Sequence, residues 1–338
     1  MKAFVISNPT KLASVLELLA PARDPKNAYR VKLLAGGQDL FTEMKEHLVE
    51  PERLVNLKSI PGLDVVGIQG DTIALNPLVT LERLETQRHI NERAVVLSEA
   101  AHSVASPQIR SVGTVGGNLN QRPRCLYYRL EEARCLKKGG DVCFSAEGHN
   151  RYNAILGGGP SYIVHPSDLA PALIALDAQV HVASVARGLR SMPLEKYYTL
   201  PKNSDVTRET VLEPDEILTA VTFDLLPAGA RSTYVKFKEK ESYDFALAAV
   251  ALRLDFDGTT VRKARLVLGG VAPIPWRVPA AEAALEGQTF AGGKVDEALA
   301  AKVCDLALAG AVPMSDNAFK IPLTKALVLE ALTKLARA

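Results

Sequence analysis

The residues best suited to chemistry are three cysteines, Cys125, Cys135 and Cys143, which follow closely on the glycine-rich turn TVGGN at 114–118. Nine and seven residues separate successive cysteines, and thiolates in such an arrangement suit an iron–sulfur cluster or zinc. Zinc is disfavoured because the short paired cysteine spacings of zinc sites are absent. A Gly-Gly turn lets backbone N–H groups approach a pyrophosphate closely. Together, the two features indicate electron transfer.

A first glycine turn, LAGGQDL at 34–40, lies between a predicted strand at 31–35 and a predicted helix at 39–46. Free N–H groups and the positive end of a helix dipole would meet there, which favours an anion. The alternative is a tight turn without a ligand. The third glycine and distal acidic residue of a G-x-G-x-x-G dinucleotide fingerprint are missing.

The second glycine turn is surrounded by polar residues that could hold a ligand. Thr114 and Asn118 can donate to phosphate oxygens, and Ser106 and Gln108 to other polar ligand edges. A β-turn with polar caps is the alternative interpretation. Further along, Asp168 follows a predicted strand and precedes a helix, so in isolation it is best interpreted as a helix N-cap.

Composition excludes several classes of protein. Of the 338 residues, 47% are hydrophobic and 23% charged, and the net charge of +2 gives no electrostatic basis for binding nucleic acid or anionic lipid. No apolar run is long enough for a membrane span, and the first residues do not resemble a signal peptide. We therefore expect a cytoplasmic protein with no membrane insertion.

The pattern of helices and strands predicts an α+β protein in three parts. Residues 1–60 alternate helix and strand signals, and short strands dominate at 61–227. Residues 228–338 read as a separate α+β domain. Residues 121–160, which carry the cysteines, form a long insertion without periodicity, and such stretches are usually functional.

At this point the chain resembles the FAD-binding medium subunits of the molybdenum hydroxylases, which include xanthine dehydrogenase and bacterial aldehyde oxidoreductases. The resemblance rests on the motifs AGGQDL at 35–40, TVGGN at 114–118 and SDL at 167–169, in the family's order and spacing. It implies a two-part FAD-binding domain of the vanillyl-alcohol-oxidase-like type, residues 1–60 and 61–227, followed by the smaller α+β domain.

The resemblance also implies which residues bind FAD. The two turns would hold the pyrophosphate, Val104 would pack against the cofactor, and Lys236 would contact the flavin, with a solvated strand lysine as the alternative. The predicted cofactor residues are Leu33, Leu34, Ala35, Gly36, Gly37, Gln38, Asp39, Leu40, Val104, Ser106, Thr114, Gly116, Gly117, Asn118, Asp168 and Lys236.

The cysteine insertion is similar to that of a subgroup of these subunits that carries a [4Fe–4S] cluster with four cysteine ligands. This chain has Ser161 where relatives tend to have the fourth cysteine. Three interpretations stay open: Ser161 ligates iron through oxygen, the site holds a three-iron cluster or uses another ligand such as His149, or the cluster is absent. Cys304, in an Ala/Leu-rich helix, is expected to be a small buried hydrophobe.

By this resemblance the protein is a FAD-binding electron-transfer subunit, an oxidoreductase component that passes electrons from iron–sulfur clusters of partner subunits to an external acceptor. The implied partners are a large molybdopterin-binding subunit and a small subunit with two [2Fe–2S] clusters, and the favoured substrate is an aldehyde. Alternatives are a self-sufficient FAD-dependent oxidase or reductase, and a subunit like those of hydroxybenzoyl-CoA reductase or xanthine dehydrogenase. A periplasmic location would require export together with a partner that carries the signal.

Overall fold

The N-terminal part folds into a small parallel sheet covered by helices. The computed structural model describes residues 1–203, 205–240 and 242–337. Three strands pair in the order β1-β3-β2, all parallel, as expected where helices connect successive strands. Helix α1 buries Val15 and Leu19 against Val55 and Leu57. The elements are β1 (Val5–Ser7), α1 (Leu12–Leu19), β2 (Val31–Leu34), α2 (Leu40–Lys45) and β3 (Arg53–Asn56).

The second part combines short helices with an antiparallel five-stranded sheet of order β4-β5-β8-β6-β7. Thr80 starts α3 by accepting a hydrogen bond from the backbone N–H of Arg83 (3.2 Å). The elements are β4 (Val66–Gln69), β5 (Thr72–Leu75), α3 (Leu81–Thr86), α4 (Arg88–Arg93), α5 (Val95–His102), α6 (Pro107–Arg110), α7 (Val115–Leu119), α8 (Leu126–Arg129), α9 (Leu169–Ala175), β6 (Gln179–Ser184), β7 (Gly188–Pro193) and β8 (Ile217–Asp224).

The C-terminal part is an antiparallel four-stranded sheet of order β12-β11-β10-β9, with helices packed on it. Nearly all of β10 is buried, because helices cover the sheet. The elements are β9 (Arg231–Phe237), β10 (Ala248–Asp257), β11 (Thr260–Gly269), β12 (Trp276–Arg277), α10 (Pro279–Leu285), α11 (Glu297–Ala307) and α12 (Lys320–Arg337).

Helix α9 joins the second and third parts. All seven of its residues are buried, and it packs against α5 and against strands β10 and β11. The largest hydrophobic cluster therefore runs from Val180 and Val221 of the five-stranded sheet to Ala249 and Val267 of the C-terminal sheet. This packing places the residue before α9, Asp168, directly beside β9.

One expected strand is absent. Residues 162–164, the apolar Tyr-Ile-Val run that was expected to form the strand before Asp168, have no regular secondary structure. The carbonyl of Tyr162 accepts from the backbone of Ala154, and the N–H of His165 donates to the carbonyl of Ala272. These single hydrogen bonds go to two different segments and do not form the continuous pairing of a β-sheet, so the prediction of a strand was wrong. No helix in the described part of the chain is long and apolar enough to cross a membrane.

Candidate functional site

Both glycine turns open onto one cavity of about 640 Å³ where the three parts of the molecule meet. This volume is in the range of small-molecule and cofactor sites. The cavity lies between α2, α7 and β9, and Val104, Asp168 and Lys236 also line it. Residues more than a hundred positions apart in sequence therefore converge on one site.

In the first glycine turn, the backbone packs closely against the segment that leads into the second turn. A Cβ on Gly36 would lie 2.2 Å from the carbonyl oxygen of Val112, just before the second turn. Gly37 has a left-handed φ of +76°, which favours glycine. Within the described residues, the N–H groups of Gly37, Gln38 and Asp39 donate to no protein acceptor. This turn therefore offers backbone donors to a ligand.

The second turn has a different role. Thr114 caps α7 by accepting from the N–H of Gly117 (3.1 Å), and the N–H groups of Val115, Gly116 and Asn118 donate to backbone carbonyls. Its amides are thus already paired, contrary to the expectation of free donors. Among the described residues, a Cβ on Gly117 would meet only Thr114 Oγ1, at 3.1 Å. Gly117 consequently leaves space at the cavity surface for close approach of a ligand.

Asn118 ties the second turn to the segment that precedes α9. Its Oδ1 accepts from the Ser167 hydroxyl at 2.6 Å and faces the backbone N–H of Leu169 at 3.4 Å. Asn118 is buried and lines the cavity, and its Nδ2 group has no acceptor among the described residues. The side chain amide is therefore available to a ligand.

Asp168 is not a helix cap, although the sequence favoured that interpretation in isolation. Its side chain makes no capping bond, and the hydroxyl of Ser167 accepts from the N–H of Ala170 instead (3.0 Å). The Asp168 carboxylate accepts from Tyr234 Oη (2.7 Å) and Lys236 Nζ (2.8 Å). Lys236 is thus not a solvated strand lysine, because its side chain is 4% exposed and paired.

The structure places all but two of the predicted cofactor residues in the lining of the cavity. Leu34 instead packs with Met44 and Leu54 beneath the small parallel sheet. Ser106 lies in a neighbouring surface cleft that shares Ala105, Lys236 and Tyr243 with the cavity. The lining residues predicted from the sequence are Leu33, Ala35, Gly36, Gly37, Gln38, Asp39, Leu40, Val104, Thr114, Gly116, Gly117, Asn118, Asp168 and Lys236.

Sequence reasoning missed the arginines that close one side of the cavity. Arg122 and Arg124 line it, and the guanidinium of Arg124 lies 4.7 Å from the centre of the Phe245 ring. Arg122 forms an ion pair with Glu209, and its backbone N–H donates to Asp39 (2.7 Å). The sequence Arg-Pro-Arg just after the second turn was the available signal.

Buried charges beside the cavity have shifted pKa values. Burial alone would lower the pKa of Arg122, but Glu209 and Tyr128 raise it above its ordinary value. The pKa of Lys137 is lowered, chiefly by burial, although Glu209 opposes the shift. Burial raises the pKa of Glu43, and Asp39 adds to the effect. The charges of this region therefore depend on one another.

The cysteines do not form a ready-made metal site. Across the described residues, no three or more His, Cys, Asp or Glu side chains are grouped so that they could hold a metal ion. Burial raises the pKa of Cys135, and nearby Cys125 adds a smaller effect, whereas Cys143 Sγ lies 3.2 Å from Ser145 Oγ. Ser161 is buried, and His149 is 90% exposed. The buried Cys304 contacts the carbonyl of Lys325.

Comparison with known families identifies the two main parts of the chain. Residues 2–225 match the family described as the FAD binding domain in molybdopterin dehydrogenase, and residues 232–335 match the CO dehydrogenase flavoprotein C-terminal domain. The chain therefore belongs to the FAD-binding subunits of the molybdenum hydroxylase family, which are components of oxidoreductases.

Individual relatives agree with this assignment. The chain is 34% identical over 311 residues to the aldehyde oxidoreductase FAD-binding subunit PaoB of Escherichia coli, covering 90% of this chain and 92% of that one. It is 27% identical over 286 residues to the carbon monoxide dehydrogenase medium chain of Hydrogenophaga pseudoflava, covering 84% and 80%. A solved structure of carbon monoxide dehydrogenase from that organism superposes with a TM-score of 0.76 at 24% identity, covering 100% of this chain and 99% of that one. This superposition confirms the predicted fold.

The chemistry of the cavity fits FAD. The first turn supplies backbone N–H groups for a pyrophosphate, and the cavity face of Gly117 allows close approach. Leu33, Leu40 and Val104 offer apolar contacts for a ring system, and Asn118 offers an amide donor. Bound FAD would supply a redox centre that accepts and releases electrons.

Proposed function

We propose that this chain is the FAD-binding electron-transfer subunit of a molybdenum-containing hydroxylase whose substrate is an aldehyde. The observation that carries the proposal is the convergence of both glycine turns, Asp168 and Lys236 on one cavity. The aldehyde is favoured because the relative that is 34% identical is an aldehyde oxidoreductase subunit.

The chain's own residues would divide the work of binding. The N–H groups of the first turn hold the pyrophosphate, while Gly117 allows its close approach. Thr114 and Asn118 contribute polar contacts, and Val104 excludes water with an apolar surface. Asp168 and Lys236 line the cavity as a buried ion pair.

The electrons would come from partner subunits. A large molybdopterin-binding subunit and a small subunit with two [2Fe–2S] clusters are the proposed partners, since a flavin alone cannot hydroxylate carbon with oxygen from water. The relatives named as medium chains of carbon monoxide dehydrogenase support this arrangement. The cytoplasmic location and the division of the chain near residues 60 and 227 remain predictions.

The iron–sulfur cluster in this subunit also remains a prediction. Cys135 and Ser161 are buried, whereas Cys143 contacts Ser145. Iron and sulfide analysis with electron paramagnetic resonance, on the wild type and on Ser161→Cys, tests it. Iron in either protein supports a cluster, whereas two iron-free proteins would remove it.

The proposed function is tested on the purified chain. We expect it to bind FAD and to release all of it on acid precipitation, because the described cavity lining contains no histidine or cysteine for covalent attachment. We also expect it to co-purify with two other polypeptides and to leave aldehydes unoxidised by itself. Aldehyde turnover by the isolated chain would favour a self-sufficient flavoprotein, and a colourless chain that takes up no FAD would contradict the proposal.

A further inference from the structure

We propose that strand β9 of the C-terminal sheet sets the reduction potential of the flavin, through a buried charge balance on Asp168. Lys236 supplies the balancing cation, and Tyr234 is a positioning residue that fixes the carboxylate. This inference rests on the proposed function, because it requires FAD in the cavity that Asp168 and Lys236 line.

The geometry gives each carboxylate oxygen its own donor from one strand. Tyr234 and Lys236 are two positions apart on β9, so their side chains project from the same face of the sheet. Tyr234 Oη donates to Asp168 Oδ1 at 2.7 Å, and Lys236 Nζ donates to Asp168 Oδ2 at 2.8 Å. Asp168 is therefore held by two side chains of the C-terminal part.

Burial makes this charge balance matter. The side chains of Lys236 and Asp168 are 4% and 5% exposed, so water screens neither charge effectively. Removing one partner of such a pair leaves an uncompensated charge in a medium of low polarity. The intact pair carries no net charge, so Lys236 offsets the field that Asp168 alone would exert on a bound flavin, and this balance sets the potential.

The strand itself is anchored at this point. Glu99 of α5 accepts from Thr233 Oγ1 and from the backbone N–H of Tyr234, both at 2.8 Å. Lys236 Nζ donates in addition to the carbonyl of Ser103 at 3.0 Å. Contacts on both sides thus hold β9 in register with the cavity wall.

An unbalanced charge at the Asp168–Lys236 pair would change the reduction potential of the flavin. Reduction adds electrons to the bound ring, so a neighbouring negative charge opposes it and a positive charge favours it. We expect Lys236→Met, which exposes the ring to the charge of Asp168, to shift the midpoint potential to more negative values. Asp168→Asn, which leaves the lysine unbalanced, should shift it to more positive values.

The full-length chain loaded with FAD is the material for the test, and equilibrium reduction against reference dyes gives the potential. The double variant with both changes is neutral again and should return towards the wild-type value. Tyr234→Phe keeps the aromatic side chain but removes the hydroxyl that donates to Asp168, so we expect the midpoint potential to become more negative by a smaller amount. Lys325→Met is the control, because Lys325 also pairs with a carboxylate, that of Asp305 (2.6 Å), but belongs neither to the cavity lining nor to the contacts that anchor β9.

Opposite shifts for the two single variants, with an unchanged control, would support the inference, since general loosening cannot move the potential in both directions. Shifts in one direction, or none, would overturn it. If Lys236→Met loses FAD while the double variant keeps it, charge balance is again supported; loss from both would show that the pair acts by contact instead. A wild-type chain that takes up no FAD is the separate failure of the proposed function.

Discussion

The two glycine turns and the cysteine insertion flank the same cavity but are held in place by different forces. In the turns, backbone meets backbone: Gly36 faces the carbonyl of Val112 with no space for a side chain. In the insertion, residues 121–160, buried charges hold the chain to distant segments. The first kind of structure leaves a local signature in the sequence, and the second does not.

Two carboxylates outside the insertion pair with charged residues of its first half. The carboxylate of Asp39 accepts hydrogen bonds from the guanidinium of Arg129 (2.9 Å) and from the backbone N–H of Arg122 (2.7 Å). Glu209, which is buried, pairs with Arg122 and lies 2.7 Å from Lys137 Nζ through its Oε1. Since each buried charge needs its partner, the position of the insertion depends on these pairs.

The largest predicted effect breaks this network. Glu209→Gln keeps the shape of the side chain but leaves Arg122 and Lys137 without their shared anion, so we expect a loss of about 3–5 kcal/mol in the free energy of unfolding. Urea denaturation followed by circular dichroism measures it. Glu132→Gln, an exposed position in the same insertion, is the control and should change stability by less than about 0.5 kcal/mol. A cost below about 1 kcal/mol for Glu209→Gln would show that the network is not what holds the insertion.

The next effect falls on the contact between the turns. Gly36→Ala would place a methyl group 2.2 Å from the carbonyl oxygen of Val112, and backbone cannot move aside cheaply. We expect a loss of about 1–3 kcal/mol in stability, as for other overpacked sites, together with loss of FAD. Thermal unfolding and flavin titration of the same variant measure the two effects. Wild-type stability in Gly36→Ala would contradict the close approach of the turns.

These differences explain what the sequence could and could not predict. The turns at 34–40 and 114–118 were predicted because glycine requirements and strand-to-helix transitions are local. The partner of Arg122 lies 87 residues away at Glu209, and the donor to Asp168 lies 66 residues away at Tyr234. No pattern in a short window links such pairs, so Asp168 on its local sequence alone suggested a helix cap, only the family resemblance placed it at the flavin site, and the role of Glu209 was not seen.

A further effect depends on pH and concerns the end of the insertion. Lys320 of α12 is fully buried, donates to the carbonyls of Tyr152, Asn153 and Gly270, and has its pKa lowered by burial to about 7. Because this folded-state value lies below the unfolded one, the charged lysine opposes folding most below pH 7. That penalty decreases as pH rises from 7 towards the unfolded pKa, by up to about 1.4 kcal/mol per pH unit.

We therefore expect the stability difference between the wild type and Lys320→Met to grow in favour of the wild type from pH 7 to pH 9. Urea denaturation at several pH values measures the difference, which cancels the titration of other groups. Lys325→Met removes a lysine that forms an exposed ion pair with Asp305, and its difference should stay nearly constant over the same range. A constant difference for Lys320→Met as well would mean that Lys320 is charged throughout.

The smallest effect on stability, and the sharpest test of the turns, is Gly117→Ala. In the part of the chain that the structure describes, the new methyl group would meet only Thr114 Oγ1, and Gly117 lacks a left-handed φ, so the fold should tolerate it. An alanine also stabilises a helix by about 0.5–1 kcal/mol relative to a glycine, which offsets the cost of this contact.

We therefore expect Gly117→Ala to keep stability within about 1 kcal/mol of the wild type but to reduce FAD affinity at least about tenfold, because the methyl group takes the space where a pyrophosphate would approach. Gly67→Ala, in β4 and outside the cavity, should likewise keep stability within about 1 kcal/mol of the wild type, but should leave FAD affinity unchanged. Because a side chain would meet backbone at Gly36 but a side-chain hydroxyl at Gly117, Gly36→Ala should lose both stability and FAD, whereas Gly117→Ala should lose FAD alone. Unchanged FAD affinity in Gly117→Ala would show that the second turn does not contact the pyrophosphate.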